Sequence, residues 1–183
     1  MEMTNLQDLW VENLRDLYSA ENQILKALPK AAKKVENEEL RSALEEHVTQ
    51  TEGHVKRLEQ ILERVGKKPG GKKCHGMEGL LEEAKELMGE DAEPEVLDAG
   101  LIVDCQKVEH YEIAGYGSAA TFAKLLGDDE AARLLTQTLE EEKQADEKLT
   151  QIAESSINVR ATEGGEQGNG KSSSRSRRSK AMH

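Results

Sequence analysis

The chain has 183 residues and a formal net charge of −11, with 36% hydrophobic, 3% aromatic and 33% charged side chains. So few aromatics and so many charges suit long amphipathic helices with wide solvated faces, and argue against a β-sandwich or an α/β sheet. The acidic excess lies in residues 1–160, with 34 acids against 20 bases, which excludes a broad nucleic-acid surface on that body.

In chain order, Thr4 and Gln7 have the spacing of a capping box opening a first helix that runs to about Lys34. Asn37 caps a second helix, which Gly66 ends ahead of the loop VGKKPGGKK. GMEGLLEEAKELMGE predicts a short amphipathic helix. Pro94 suits the first turn of another long helix ending at Gly127, and Asp128 caps a last helix reaching about Ser156. No segment has the alternation of a strand.

Residues 161–183 hold two acids against Lys171, Arg175, Arg177, Arg178 and Lys180 in a Gly/Ser/Arg-rich background. That is the composition of a disordered, solubilising tail, with contact to nucleic acid as a secondary expectation. The predicted domain is therefore residues 1–160. The chain has no long apolar run for a membrane, and MEMTNLQDLW lacks the regions of a signal peptide, so a cytoplasmic location is expected. Cys74 and Cys105 make neither a disulfide framework nor a zinc site, and KKCHG is a weak metal signal on its own.

The helical seams reveal an internal repeat. Trp10, Leu14, Leu17, Glu21, Ile24, Leu28, Ala31 and Val35 recur at spacings of four and three, as do Leu101, Cys105, Val108, Glu112, Gly115, Ala119, Phe122 and Leu126. The two series are offset by 91 residues throughout, and the same offset carries Leu40, Leu44, His47, Thr51, His54, Leu58 and Ile61 onto Ala131, Leu135, Thr138, Glu142, Ala145, Leu149 and Ile152. Two antiparallel helical hairpins joined by a crossover with a short extra helix follow: an all-α four-helix bundle.

Each seam breaks at its middle. Glu21, Thr51, Glu112 and Glu142 all lie about 15 residues from their hairpin turn, or ~22 Å at the helical rise, and so share one layer. Buried carboxylates cost several kcal/mol each unless paired or metal-bound. No Lys or Arg lies on these seams, so a metal is the economical counter-charge. His54 is a candidate ligand on the same seam, and Glu109, one turn before Glu112, is a further one. His47 suits hydrogen bonding behind the ligands. Asp146 stands one position beyond the seam and could turn inward. His110 is expected at the surface, and packing is the expected role of Tyr18 and Tyr111.

LYSAENQIL, MEGLLEEA, QKVEHYEIAGYG and LEEEKQAD, in order along residues 4–158, resemble the YciE/YciF family of ferritin-like, stress-associated bacterial proteins. The wider ferritin-like pattern implies a carboxylate-bridged di-iron centre, with one Glu from each of two helices and Glu-x-x-His from each of the other two. Glu21 and Glu112 match the lone glutamates, His54 the histidine of the second helix and Glu142 the bridging Glu of the fourth. Thr51 and Ala145 depart from the pattern where Glu and His would stand. Glu109, Asp146, His47 or Gln50 would complete a modified site, or a single ion binds. The resemblance thus implies iron, with manganese as the alternative, and O₂ or peroxide as co-substrate in ferroxidase-type chemistry. It also implies a homodimer or larger homo-oligomer. The alternatives are a non-catalytic oligomeric stress protein with a degenerate site, and a nucleic-acid role for the tail. No residue is assigned a catalytic role beyond metal binding.

Overall fold

The computed structural model describes residues 3–163. It contains α1 (Leu6–Lys34), α2 (Glu38–Arg64), α3 (His75–Leu87), α4 (Pro94–Leu125) and α5 (Asp129–Ile152), followed by a π-helical turn at Ala153–Ile157. No strand occurs among the described residues. The helix does not stop near Ser156: the π turn absorbs one register shift and the chain continues helically to Glu163, so Ala161, Thr162 and Glu163 extend the helix. The rest of the basic tail lies outside the described residues. No helix among the described residues is long and apolar enough to cross a membrane.

Local chemistry accounts for the helix ends. Asn5, rather than Thr4, is the cap of α1. Its side chain accepts from the Asp8 amide, while the Thr4 amide and hydroxyl both donate to the Asp8 carboxylate. Asp at the third helical position thus does the reciprocal work expected of Gln7. Asn37 and Asp128 cap α2 and α5 as predicted. Cys74 caps α3 through its thiol, which accepts from the Met77 amide. At the second hairpin turn Gly127 has φ 77°, a left-handed conformation that glycine adopts without steric penalty.

α1 packs along α2 and α4 along α5, and contacts of α1 with α4 and of α2 with α5 close the bundle. The first turn is fixed to the start of α4 by buried Asp98, whose carboxylate accepts from the Glu36 and Asn37 amides at 3.1 and 2.8 Å. The crossover therefore runs the length of the bundle, α2 and α4 point the same way, and the two hairpin turns sit at opposite ends. Beside the bundle's middle, Gly115 lets α1 approach α4 closely, since a Cβ there would meet Leu17 Cδ2 at 2.7 Å.

The apolar core is in two parts. One, near the first turn, includes Ile24, Leu28, Leu40, Leu44, Leu101 and Ile152. The other, near the second turn, includes Trp10, Leu14, Leu58, Ile61, Ala119 and Leu135. Between them lies a buried polar layer of Glu21, His47, Thr51, His54, Glu109, Glu112 and Glu142, each at most 5% exposed.

Candidate metal centre

All four long helices contribute to this layer. Glu21 comes from α1, His47 and His54 from α2, Glu109 and Glu112 from α4, and Glu142 from α5. Their donor atoms fall into two groups, each compact enough for one ion: Glu21, His54 and Glu142, and His47, Glu109, Glu112 and Glu142. Within each group the ligand atoms lie within 4.8 Å of one another, and Glu142 belongs to both. That is the topology of a carboxylate shared between two cation positions.

The predicted candidates Glu21, His54, Glu109, Glu112 and Glu142 are thus brought together. Of the two roles expected for His47, the structure favours that of alternative ligand. Its Nε2 lies 3.4 Å from Glu109 Oε1 and 3.7 Å from Glu142 Oε2, inside the layer rather than behind it. Because α2 and α4 run parallel, the turn before Thr51 and the turn before Glu112 are displaced together toward the same end, which puts His47 opposite Glu109. Gln50 takes the supporting position instead, with Oε1 3.2 Å from His47 Nδ1. Asp146 does not turn inward. Its carboxylate accepts from Gln106 and approaches largely exposed His110, because one step along α5 rotates it off the seam.

Thr51 and Ala145 confirm by position why the ordinary pattern is broken. Thr51 is buried in the layer, but its hydroxyl donates back to the His47 carbonyl at 2.8 Å. Ala145 has no donor to offer.

The layer is short of well-formed hydrogen bonds. Glu21 Oε2, His47 Nε2, His54 Nδ1, Glu109 Oε2 and both oxygens of Glu112 and of Glu142 are buried with none, although the two imidazoles lie within ion-pair distance of the carboxylates. Burial pushes the carboxyls of Glu109 and Glu112 well above the ordinary carboxylate range, and neighbouring carboxylates push them further. Burial likewise raises Glu21, against the opposing pull of His54. For His54, burial favours the neutral ring, but Glu142 and Glu21 beside it outweigh this and raise its pKa to about 10. His54 Nδ1 stands 3.0 Å from Glu142 Oε1 and 3.3 Å from Glu21 Oε1.

Three supporting groups were not legible in the seams. Tyr116, fully buried, donates its hydroxyl to Glu21 Oε1, leaving Oε2 as the carboxylate's free atom. It is one turn beyond Glu112, and that i+4 spacing was the available signal. On the other side, His54 Nε2 lies 2.9 Å from Glu141 Oε2. Arg57 holds Glu141 through a two-pronged contact at 2.7 and 2.9 Å. Partial burial opposes the ionised form, yet Arg57, Gln137 and His54 hold the Glu141 pKa down at about 2. An ionised carboxylate on Nε2 fixes the ring so that Nδ1 faces the layer. Tyr111 does more than pack. Its hydroxyl bonds Asp16 and lies 2.9 Å from Cys74 Sγ, tying α3 to α1 and α4. Neither Cys74 nor His75 joins a metal-competent group among the described residues.

The orphaned, acid-rich donor set fits a hard or borderline divalent cation held by carboxylates and imidazole. Comparison with known proteins places this architecture. The domain of unknown function DUF892 matches residues 5–162. Protein YciF of Escherichia coli (strain K12) is 46% identical over 162 residues, covering 88% of this chain and 98% of that protein. The crystal structure of the E. coli stress protein YciF superposes with a TM-score of 0.82 over 85% of this chain and 99% of that one. YcfI from Rhodopseudomonas palustris, 43% identical, gives 0.79 over 81% and 95%. A two-domain protein from Anabaena variabilis with a ferritin-like domain shares the fold at 15% identity and TM-score 0.53, over 98% of this chain and 42% of that one. The fold is therefore ferritin-like, and the chain belongs to the DUF892 family, alongside YciF.

Proposed function

We propose that the polar layer binds iron(II), as one ion or as a pair bridged by Glu142, with manganese(II) as the alternative occupant. The carrying observation is the set of buried donor atoms without partners, drawn from four helices and dividing into two groups that share one carboxylate. Glu21, His54 and Glu142 would hold one cation; His47, Glu109, Glu112 and Glu142 would hold the other. His47 and Glu109 thereby take over from the Glu and His that Thr51 and Ala145 do not supply. Tyr116 orients Glu21, and Arg57 acts through Glu141 to orient His54. Two apolar clusters above and below close the layer along the bundle axis and strengthen each electrostatic contact.

Bound iron(II) supplies electrons for reducing O₂ or peroxide, so ferroxidase-type or peroxide-consuming chemistry is the reaction class. The description of YciF as a stress protein agrees with a protective role in the cytoplasm, carried out by a homodimer or larger homo-oligomer. A purely structural bundle has no use for a layer this unfavourable, since apolar side chains of the same volume would stabilise it more. Metal analysis after purification without added metal, followed by anaerobic Fe(II) titration and O₂ or peroxide addition, tests both steps. Stoichiometric binding with iron oxidation is expected; absence of binding at high micromolar Fe(II) would refute the reading.

A further inference from the structure

Ala145 leaves more than a missing ligand. Beside it, between α2 and α5, lies a cavity of about 120 Å³, large enough to admit water. Its lining passes from exposed Glu46, Gln144 and Lys148, through half-buried Gln50, to buried His47 and Glu109, with Leu44 and Leu149 as apolar walls. At the outer side Lys148 Nζ lies 2.6 Å from Glu46 Oε2, an ion pair that joins α5 to α2. At the inner side His47 Nε2 and Glu109 Oε2 are among the buried atoms without partners. A second cavity of about 40 Å³ under α3 also reaches His47 and Glu109, but apart from Asp104 and Cys105 its other walls are apolar, Ile24, Leu28, Leu81 and Leu101 among them.

We propose that the Ala145 cavity is the port through which a hydrated divalent cation reaches the layer, with the Glu46–Lys148 pair across its outer side. The inference rests on the layer being a metal site. A dication gives up its waters only in exchange for other oxygen or nitrogen donors, because bare transfer into an apolar wall is prohibitive. The Ala145 cavity offers a succession of such donors: Glu46 and Gln144 at the surface, Gln50 below them, then Glu109 and His47. The cavity under α3 is far more apolar: ahead of the layer its lining offers only Asp104, already paired with Lys107 at 2.9 Å, and the Cys105 thiol. A histidine at position 145 would fill this space, so the same substitution that removes a ligand opens a path.

Uptake and release of Co(II), followed by its visible absorption in stopped flow with a chelator chase for release, separate a port from a ligand. Filling the cavity by Ala145→Leu should slow both rates by roughly tenfold, equivalent to about 1.4 kcal/mol on the barrier, with little change in equilibrium affinity. Lys148→Gln, at the surface, should quicken uptake several-fold by removing a positive charge and freeing Glu46, and added salt should shrink that gain. Unchanged rates in Ala145→Leu overturn the port while leaving the metal site standing. If Ala145→Leu does not fold, an unchanged uptake rate in Lys148→Gln overturns it alone. Wild-type protein that binds no Co(II) at equilibrium overturns the site and the port together.

Discussion

Replacing Glu112 by glutamine should stabilise the metal-free protein and impair metal binding, a pair of opposite effects from one atom exchange. Glu112 is fully buried, and neither oxygen has a hydrogen-bond partner. Burial and the charges of Glu21, Glu142 and Glu109 drive its pKa well above the ordinary value of 4.5. The folded protein therefore holds a proton here that the unfolded chain releases. Stability associated with this group is fully present below pH 4.5 and is lost as pH rises. Holding a carboxyl neutral three pH units above its ordinary value costs about 4 kcal/mol, which is a ceiling on the gain at pH 7.5. Relaxation and the partly unmet amide reduce the expected gain to about 2 kcal/mol. For a domain of this size that is a rise of roughly 4–8 °C in the apo Tm. The assay is thermal melting in EDTA at pH 5 and pH 8, repeated with Mn(II). The gain should be small at pH 5 and larger at pH 8, and the rise produced by Mn(II) in the wild type should largely disappear in Glu112→Gln. A variant no more stable than wild type at pH 8, or one with an undiminished Mn(II) response, would refute the electrostatic account of the layer.

Three further outcomes follow from the same geometry. Binding of Mn(II) at pH 7 should release protons, because His54 titrates at about 10 in the apo protein and the Glu109 and Glu112 carboxyls are raised as well; calorimetric heats that do not depend on the buffer's ionisation enthalpy would count against it. Tyr116→Phe removes the donor to Glu21 Oε1 and should lower apo stability by about 1–3 kcal/mol while weakening metal binding, both visible in melts with and without Mn(II). Arg57→Met should leave the bundle folded but reduce metal affinity by roughly 10–100-fold, since it frees Glu141 and with it the His54 ring; competition titration against a chelator measures this.

Much of the fold was legible because helix periodicity and a constant offset are one-dimensional signals. The offset paired Glu21 with Glu112 and Thr51 with Glu142, and their equal distances from the turns placed all four at one depth. What it could not supply is the relative direction and rotation of helices from different hairpins. That is why the seams leave His47 between two roles: only the parallel run of α2 and α4 brings its ring opposite Glu109. Asp146 failed for the related reason that a single residue step turns a side chain by ~100° on a helix. Arg57 and Glu141 belong to the polar flanks of their helices, and a pattern built on seams passes over them. The cap of α1 illustrates a third limit: Thr4, Asn5, Gln7 and Asp8 offer two overlapping capping arrangements, and backbone geometry selects the pair one residue on.

The two hairpins are repeats in backbone but complements in chemistry. Both imidazoles of the layer, His47 and His54, come from the first hairpin, whereas Glu109, Glu112 and Glu142 come from the second. Neither hairpin alone could form either cation position, so the site exists only once the two have docked. The division also explains how the metal-free protein tolerates the layer. Protonated on both ring nitrogens, His54 reaches Glu21 and Glu142 with one and Glu141 with the other. It stands where a cation would, as a positive charge among carboxylates. If a metal took the proposed position, Nδ1 would give up its proton and serve as a donor atom, while Glu141, pinned by Arg57, would keep the proton on Nε2. One histidine would thus neutralise part of the metal-free layer and ligate in a loaded one. Such an exchange needs an ionised partner on its far side, and Glu141, at a pKa of about 2, remains ionised throughout the neutral range.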